Sequence, residues 1–182
     1  DFNFCMFEPN TKPKKRIELQ SFPVGSKAIN KAMQLLKKHL LSYNELKHKL
    51  FQIDFLSNQS GEIIIALNYH KAINEIEFKK NINDIKRLFL NEGLKAQFIG
   101  RAKKQLILAD TDTILETIHT KDRDFYLYQV EGNFSQPNIY ACQNMVQFAR
   151  DCCTDCKNVD LIELYCGSGT FTVCLADLFR KV

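Results

Sequence analysis

Residues that break up or dissolve a fold are scarce in this chain. Its 182 residues include 7 glycines and 4 prolines, against 45% hydrophobic, 25% charged and 11% aromatic residues. That composition excludes collagen-like repeats, low-complexity scaffolds and disorder. No apolar run approaches the ~18–20 residues that a membrane-crossing helix needs. The opening Asp-Phe-Asn-Phe has no charged segment leading into an apolar core, so no signal peptide is expected. It also has no starting Met, and we expect a chain cut at this end.

An excess of one charge is missing too. The 25 basic and 21 acidic side chains leave +4. Their distribution is uneven, because residues 1–50 hold ten basic and four acidic groups. A local basic surface attracts a polyanion, although a lysine-rich solvated face has the same composition. The cysteines are Cys5, Cys142, Cys152, Cys153, Cys156, Cys166 and Cys174. An odd number without an export signal argues against a disulfide framework and for reduced, cytoplasmic thiols. Cys153-x-x-Cys156 has ligand-like spacing, but no second Cys pair or His pair completes a tetrahedral site. No metal is expected.

The hydrophobic pattern divides the chain in two. Phe2–Phe7 and Arg16–Gln20 read as short strands around the turn from Glu8 to Pro13. Ser26 opens a helix to about Leu41, with Ile29, Ala32, Met33, Leu36 and Leu40 on one face. Leu50–Leu56 and Glu62–Tyr69 read as a hairpin, and Ile73–Leu90 as a helix stopped by Gly93. Strands are expected at Leu94–Gly100, Gln105–Ala109 and Phe125–Val130, with an acidic, turn-rich stretch at 110–124. This gives an α+β unit of helices alternating with antiparallel strands over residues 1–131. From 132 the character changes: a helix from Pro137 to about Cys153, an apolar strand Val159–Leu164, a glycine-bearing turn and a helix from Phe171. That order is the opening of a Rossmann-like α/β domain, covering 132–182.

Two stretches carry chemistry. In Leu161-Ile-Glu-Leu-Tyr-Cys-Gly-Ser-Gly-Thr-Phe171 a strand runs into a Gly-x-Gly turn and then a helix. Such a turn lets a ligand approach the main chain and aims helix N–H groups at it. It lacks the third glycine of a dinucleotide fingerprint and the Gly-Lys-Ser/Thr of a phosphate loop. Glu163 beside it disfavours a polyphosphate, so a zwitterionic or cationic nucleoside such as S-adenosylmethionine fits better. A purely structural β-α turn is the plain alternative. In Val130-Glu-Gly-Asn-Phe-Ser-Gln-Pro-Asn138, Gln136 precedes Pro137 at a helix start, which places an amide beside unpaired N–H groups. Read alone it is a capping sequence.

Together these stretches resemble the S-adenosylmethionine-dependent RNA uracil-5-methyltransferases. Ser21-Phe-Pro23, Lys47-His-Lys-Leu-Phe-Gln-Ile-Asp54, Tyr69-His-Lys71 and Ile99-Gly-Arg-Ala-Lys103 are similar to the tRNA-acting branch, which makes ribothymidine in the T-loop. The resemblance implies cofactor contacts at Gln136, Tyr165, Gly167, Gly169 and Thr170. It implies RNA contacts at Phe51, His70 and Arg101, with an aromatic ring stacking on an unstacked base. Phe51 in a strand would otherwise be read as core. Thr170 and Ser168 stand where this family usually has Asn. The expected partner is the T-arm of tRNA, with neither membrane nor protein partner, and the expected location is the cytoplasm.

Carbon-5 methylation needs a thiolate to attack carbon 6 and a base to remove the carbon-5 proton. The resemblance puts both beyond Val182, so no catalytic residue is expected within the chain, and Cys166 belongs to the cofactor turn. The ribose-binding acidic residue of the second strand is absent as well, as for an internal piece of a longer enzyme. A ribosomal-RNA methyltransferase is the nearest alternative. Those relatives often carry a cysteine-ligated iron–sulfur cluster upstream, and only Cys5 precedes Cys142 here. A non-catalytic RNA-binding module is a third reading.

Overall fold

The structure is a computed structural model that describes residues 2–182. Strands β1 (Phe4–Phe7) and β2 (Arg16–Leu19) pair antiparallel, with Phe4 opposite Leu19. Helix α1 (Lys27–His39) starts where the Ser26 side chain accepts the Ile29 N–H at 3.1 Å, and Lys37, Lys38 and His39 oppose the dipole at its other end. A 3-10 turn (Leu40–Ser42) and the single-turn α2 (Asn44–Lys47) come next.

Strands β3 (Leu50–Ser57) and β4 (Ile63–Tyr69) form the expected hairpin. Helix α3 (Glu75–Asn91) is capped by Asn74, has Glu75 and Glu77 in its first turn, and ends before Gly93 at φ 73°. Strand β5 (Ala96–Ala102) then lies parallel to β4, and β6 (Gln105–Leu108) returns antiparallel. The sheet order is β3-β4-β5-β6. The parallel pair corrects the expectation of antiparallel strands throughout. A 17-residue helix between β4 and β5 makes a crossover, which returns the chain in the same direction. Leu36 and Leu40, Phe78, Ile82 and Phe89 of α3, and Ile65, Leu67 and Phe98 of the sheet share one core. Gly100 sits where a Cβ would come within 2.9 Å of the Phe78 ring, so its missing side chain lets α3 seat against β5.

Thr113–His119, inside the stretch expected to be turns, is strand β7, paired with β8 (Asp124–Val130). Its inward positions are Ile114, Glu116 and Ile118, and the carboxylate in the middle interrupts the apolar alternation that marks a strand. Ile118, Phe125 and Leu127 of this hairpin pack with Cys142 and Val146 of α4 (Ile139–Cys152) and Cys174 of α5 (Thr170–Leu175). The hairpin therefore belongs with helices α4 and α5. The chain divides into one unit ending at Asp112 and another running Thr113–Val182, whereas the sequence pattern puts the boundary at 131/132.

Buried Arg150 of α4 ties the second unit together. It donates to Asp122 in the hairpin turn, to Asp177 at 2.7 Å and to the Cys174 carbonyl, and it lies 4.9 Å from the Phe125 ring. A buried guanidinium is tolerated because each face meets a partner. Its bonds hold the Asp122 and Asp177 carboxyls below the usual aspartate range.

Val159–Leu164 does not form the expected strand. Asp160 makes one parallel bridge to Lys181, while Ile162 and Leu164 stay exposed. An apolar strand of a parallel sheet is stable between partner strands and under cover on both faces, and no strand among the described residues flanks this run.

Candidate functional site

Each unit carries a candidate site of its own. In the first, one end of the four-stranded sheet gathers the three residues expected to meet RNA. Phe51 falls at a register shift in β3, between the pairs Leu50–Tyr69 and Gln52–Asn68. Such a bulge re-aims the side chain it carries. Phe51 is accordingly 52% exposed, which removes the core reading. Its ring stacks on the His70 imidazole, 3.9 Å between centroids and 13° from parallel. Arg101 of β5 is in register with Asn68 of β4, itself opposite Gln52, so it comes to the same end of the sheet.

The backbone beneath this pair is held firmly. The His70 N–H donates to the Lys49 carbonyl at 3.0 Å, and Lys49 adopts φ 62°. The buried Tyr69 hydroxyl donates to the Leu46 carbonyl at 2.7 Å, and burial pushes its pKa up. Beyond His70, the Gln105 amide brackets Ile73, accepting from its N–H at 2.8 Å and donating to its carbonyl at 2.7 Å. The clamping roles of Tyr69 and Gln105 escape a reading of the sequence, because a clamp between distant backbone segments has no local signature. Exposed Lys47, Lys49, Lys103 and Lys104 border this sheet end. An exposed aromatic stack among cations suits an unpaired base beside phosphates.

In the second unit, a shallow cleft with an enclosed volume of about 20 Å³ is lined by Gln136, Ser168 and Thr170 together with Glu116, Gln129 and Cys142. Two of the expected cofactor residues, Gln136 and Thr170, thus meet there. The Asn138 side chain caps α4 by accepting the Ala141 N–H at 3.0 Å, which sets the chain direction just after Gln136. Gly169 caps α5 at φ 76° and Gly167 has φ 58°, left-handed conformations that glycine adopts readily. A Cβ on Gly167 would lie 4.0 Å from the Phe134 ring, and one on Gly169 no closer than 3.9 Å to Thr172. Glu163 accepts a hydrogen bond from Thr172, which pins the run before the turn to α5.

Tyr165, like Gly167 and Gly169, is not among the residues lining the cleft. It is fully exposed at φ 58°. Glu116 and Gln129 do line the cleft, and neither was expected from the sequence. The signal available was a carboxylate at the central inward position of a strand, obscured because 110–124 looks like turns.

The cleft's chemistry is legible from its lining. It offers amides, hydroxyls and one carboxylate, with no Lys, Arg or His among the lining residues. That donor set fits the polar end of a zwitterionic or cationic nucleoside and fits a polyphosphate poorly.

The cysteines sort by burial. Burial pushes the Cys142 thiol up, with the nearby Glu116 carboxylate adding to it, and pushes Cys174 up to about 12. Thiolate is the reactive form, so both are poor nucleophiles. Cys5, Cys152 and Cys166 are exposed. Mass-spectrometric mapping after brief alkylation of the native protein should find these three labelled and Cys142 and Cys174 unlabelled until denaturant is added. Rapid native labelling of Cys142 would contradict the buried setting. No group of three or more His, Cys, Asp or Glu among the described residues is placed to hold a metal, and Cys152, Cys153 and Cys156 acquire no further ligand.

Known proteins agree on what kind of chain this is. Residues 1–182 match the profile of the family described as tRNA (Uracil-5-)-methyltransferase. The tRNA/tmRNA (uracil-C(5))-methyltransferase of Photobacterium profundum is 41% identical over 182 residues, all of this chain and 48% of the relative. The proteins of that name from Histophilus somni and Pasteurella multocida are 41% and 40% identical, each over 49% of its length. The class is therefore RNA-modifying methyltransferases of mixed α/β build. Within it, this chain belongs to the tRNA (uracil-5-)-methyltransferase family. The chain spans about half the length of the curated relatives it matches.

Proposed function

We propose that this chain supplies the RNA-reading unit and the opening, Rossmann-like part of the cofactor-binding unit of an enzyme that methylates carbon 5 of the T-loop uridine in tRNA. The observation that carries this reading is the exposed Phe51–His70 stack at a lysine-rich sheet end, in a chain of this family. The stack presents an aromatic face to an everted base, while Arg101 and the neighbouring lysines meet phosphates. S-adenosylmethionine, when bound, supplies an electrophilic methyl group. Gln136, Ser168 and Thr170 would hold its polar end, and the Gly167–Gly169 turn would let its backbone-facing side approach closely.

The chemistry on uracil stems from its electronics. A thiolate adds to carbon 6, the resulting enolate takes the methyl at carbon 5, a base removes the carbon-5 proton, and the thiolate leaves. We assign neither the thiolate nor the base to this chain. Cys142 and Cys174 are buried with raised pKa values, and Cys166 sits in the glycine turn. We infer that both groups lie in the part of the enzyme that this chain does not span. A tRNA substrate implies a cytoplasmic protein, and no described helix is long and apolar enough to cross a membrane.

The test is methyl transfer from labelled S-adenosylmethionine by the intact protein. Transfer to tRNA transcripts with the T-loop uridine, and none when that uridine is replaced, is expected. Transfer to ribosomal RNA alone, or RNA binding without transfer, would overturn the reading.

A further inference from the structure

The inner faces of the β7–β8 hairpin change character along their length. Near the turn, Ile118 lies opposite Phe125, both buried against α4. Toward the open end the facing positions are Glu116 with Leu127 and Ile114 with Gln129. The two polar ones, Glu116 and Gln129, line the same cleft as Gln136, Ser168 and Thr170. Glu116 is only 4% exposed. A carboxylate at a core position costs stability relative to an apolar residue, and residues that break the local pattern in this way gather at functional sites.

The electrostatics of the cleft have one sign. Glu116 is its single ionisable carboxylate, and no Lys, Arg or His lines it. Glu116 is near enough to Cys142 to contribute to that thiol's raised pKa, so its field reaches across the cleft wall. A low-dielectric wall bearing negative charge concentrates cations and repels phosphates.

We propose that Glu116 is a further binding residue of this cleft, where its carboxylate meets the positive charge of the nucleoside cofactor. The inference rests on the proposed occupancy of the cleft by S-adenosylmethionine. It adds a reason for selectivity: a cationic nucleoside is held by Glu116, while a neutral thioether nucleoside gains nothing from it. The Thr117 N–H donates to Glu116 Oε1 at 3.1 Å and fixes one edge of the carboxylate.

Calorimetry on the intact protein separates this role from a structural one. The probes are S-adenosylmethionine and 5′-methylthioadenosine, which keeps the nucleoside but has a neutral thioether in place of the sulfonium and lacks the amino-acid arm, so it carries neither positive charge. Glu116→Gln keeps the shape and removes the charge. It should weaken S-adenosylmethionine binding about tenfold or more and leave 5′-methylthioadenosine within about twofold. Equal losses for both probes, or no loss for either, would overturn the proposal. Should Glu116→Gln fail to fold, Glu116→Asp carries the test, since it keeps the carboxylate but draws it back by one methylene from the same lining. It should weaken S-adenosylmethionine selectively, and an unchanged preference would again refute the carboxylate's contact with the cofactor's charge. Gln136→Ala keeps the two readings apart. If the wild type binds S-adenosylmethionine and Gln136→Ala weakens it while Glu116→Gln does not, Glu116 alone is wrongly assigned. If the wild type binds none, the cofactor reading itself fails.

Discussion

Replacing Gly169 with valine in the intact protein is expected to abolish most of its affinity for S-adenosylmethionine while leaving RNA binding in place. Gly169 caps α5 at φ 76°, a region that β-branched residues essentially do not enter. Forcing valine there costs about 1–3 kcal/mol of backbone strain, equivalent to roughly 5- to 150-fold in affinity if the turn is released to relieve it. The strain is conformational, because a Cβ at this position meets nothing closer than Thr172 at 3.9 Å. That open space is where a ligand would approach, so the branched side chain adds obstruction to strain. Tyr165→Ala should have a smaller effect, since trimming a fully exposed side chain adds no obstruction to the turn. Calorimetric affinity unchanged by Gly169→Val would remove the glycine turn from the cofactor site.

Phe51→Ala should do the reverse. One base–aromatic stack is worth about 1–3 kcal/mol, and that is the expected loss of RNA affinity. Cofactor affinity should stay within error, because the cleft lies in the other compact unit. Thermal stability should change little, since Phe51 is half exposed at a bulge and touches His70, also exposed. A large fall in melting temperature with RNA affinity preserved would instead make the Phe51–His70 stack a structural device. Binding of both wild type and variant should weaken as salt rises, through release of counterions from the RNA.

Local chemistry makes some of this fold legible and leaves other parts hidden. Helices α1 and α3 announce themselves through a capping Ser26, Gly93 just past the end, and apolar stripes of period 3.6. Strand β7 stays hidden because Glu116 occupies an inward position and acidic residues flank the strand. The residue that disguises the strand is the one that gives the cleft its charge. Val159–Leu164 shows the opposite case. Its strand signal is strong, but a parallel strand is a property of its neighbours, and here it has one bridge. The direction of β5 relative to β4 is likewise set by the α3 crossover rather than by either strand's sequence. Phe51 and His70 are named through family resemblance. What periodicity cannot show is that a bulge turns Phe51 out of the strand pattern and onto the imidazole.

The most direct test of the central claim is to map 5-methyluridine in tRNA from cells that lack the intact gene and from the same cells complemented with it. Nucleoside-resolved mass spectrometry of T-arm fragments reads the position. The expected result is unmethylated T-loop uridine in the deletion, full methylation with the wild-type gene, and strongly reduced methylation with Phe51→Ala or Gly169→Val. T-loop methylation unaffected by the deletion, with a methyl group missing from ribosomal RNA instead, would contradict it.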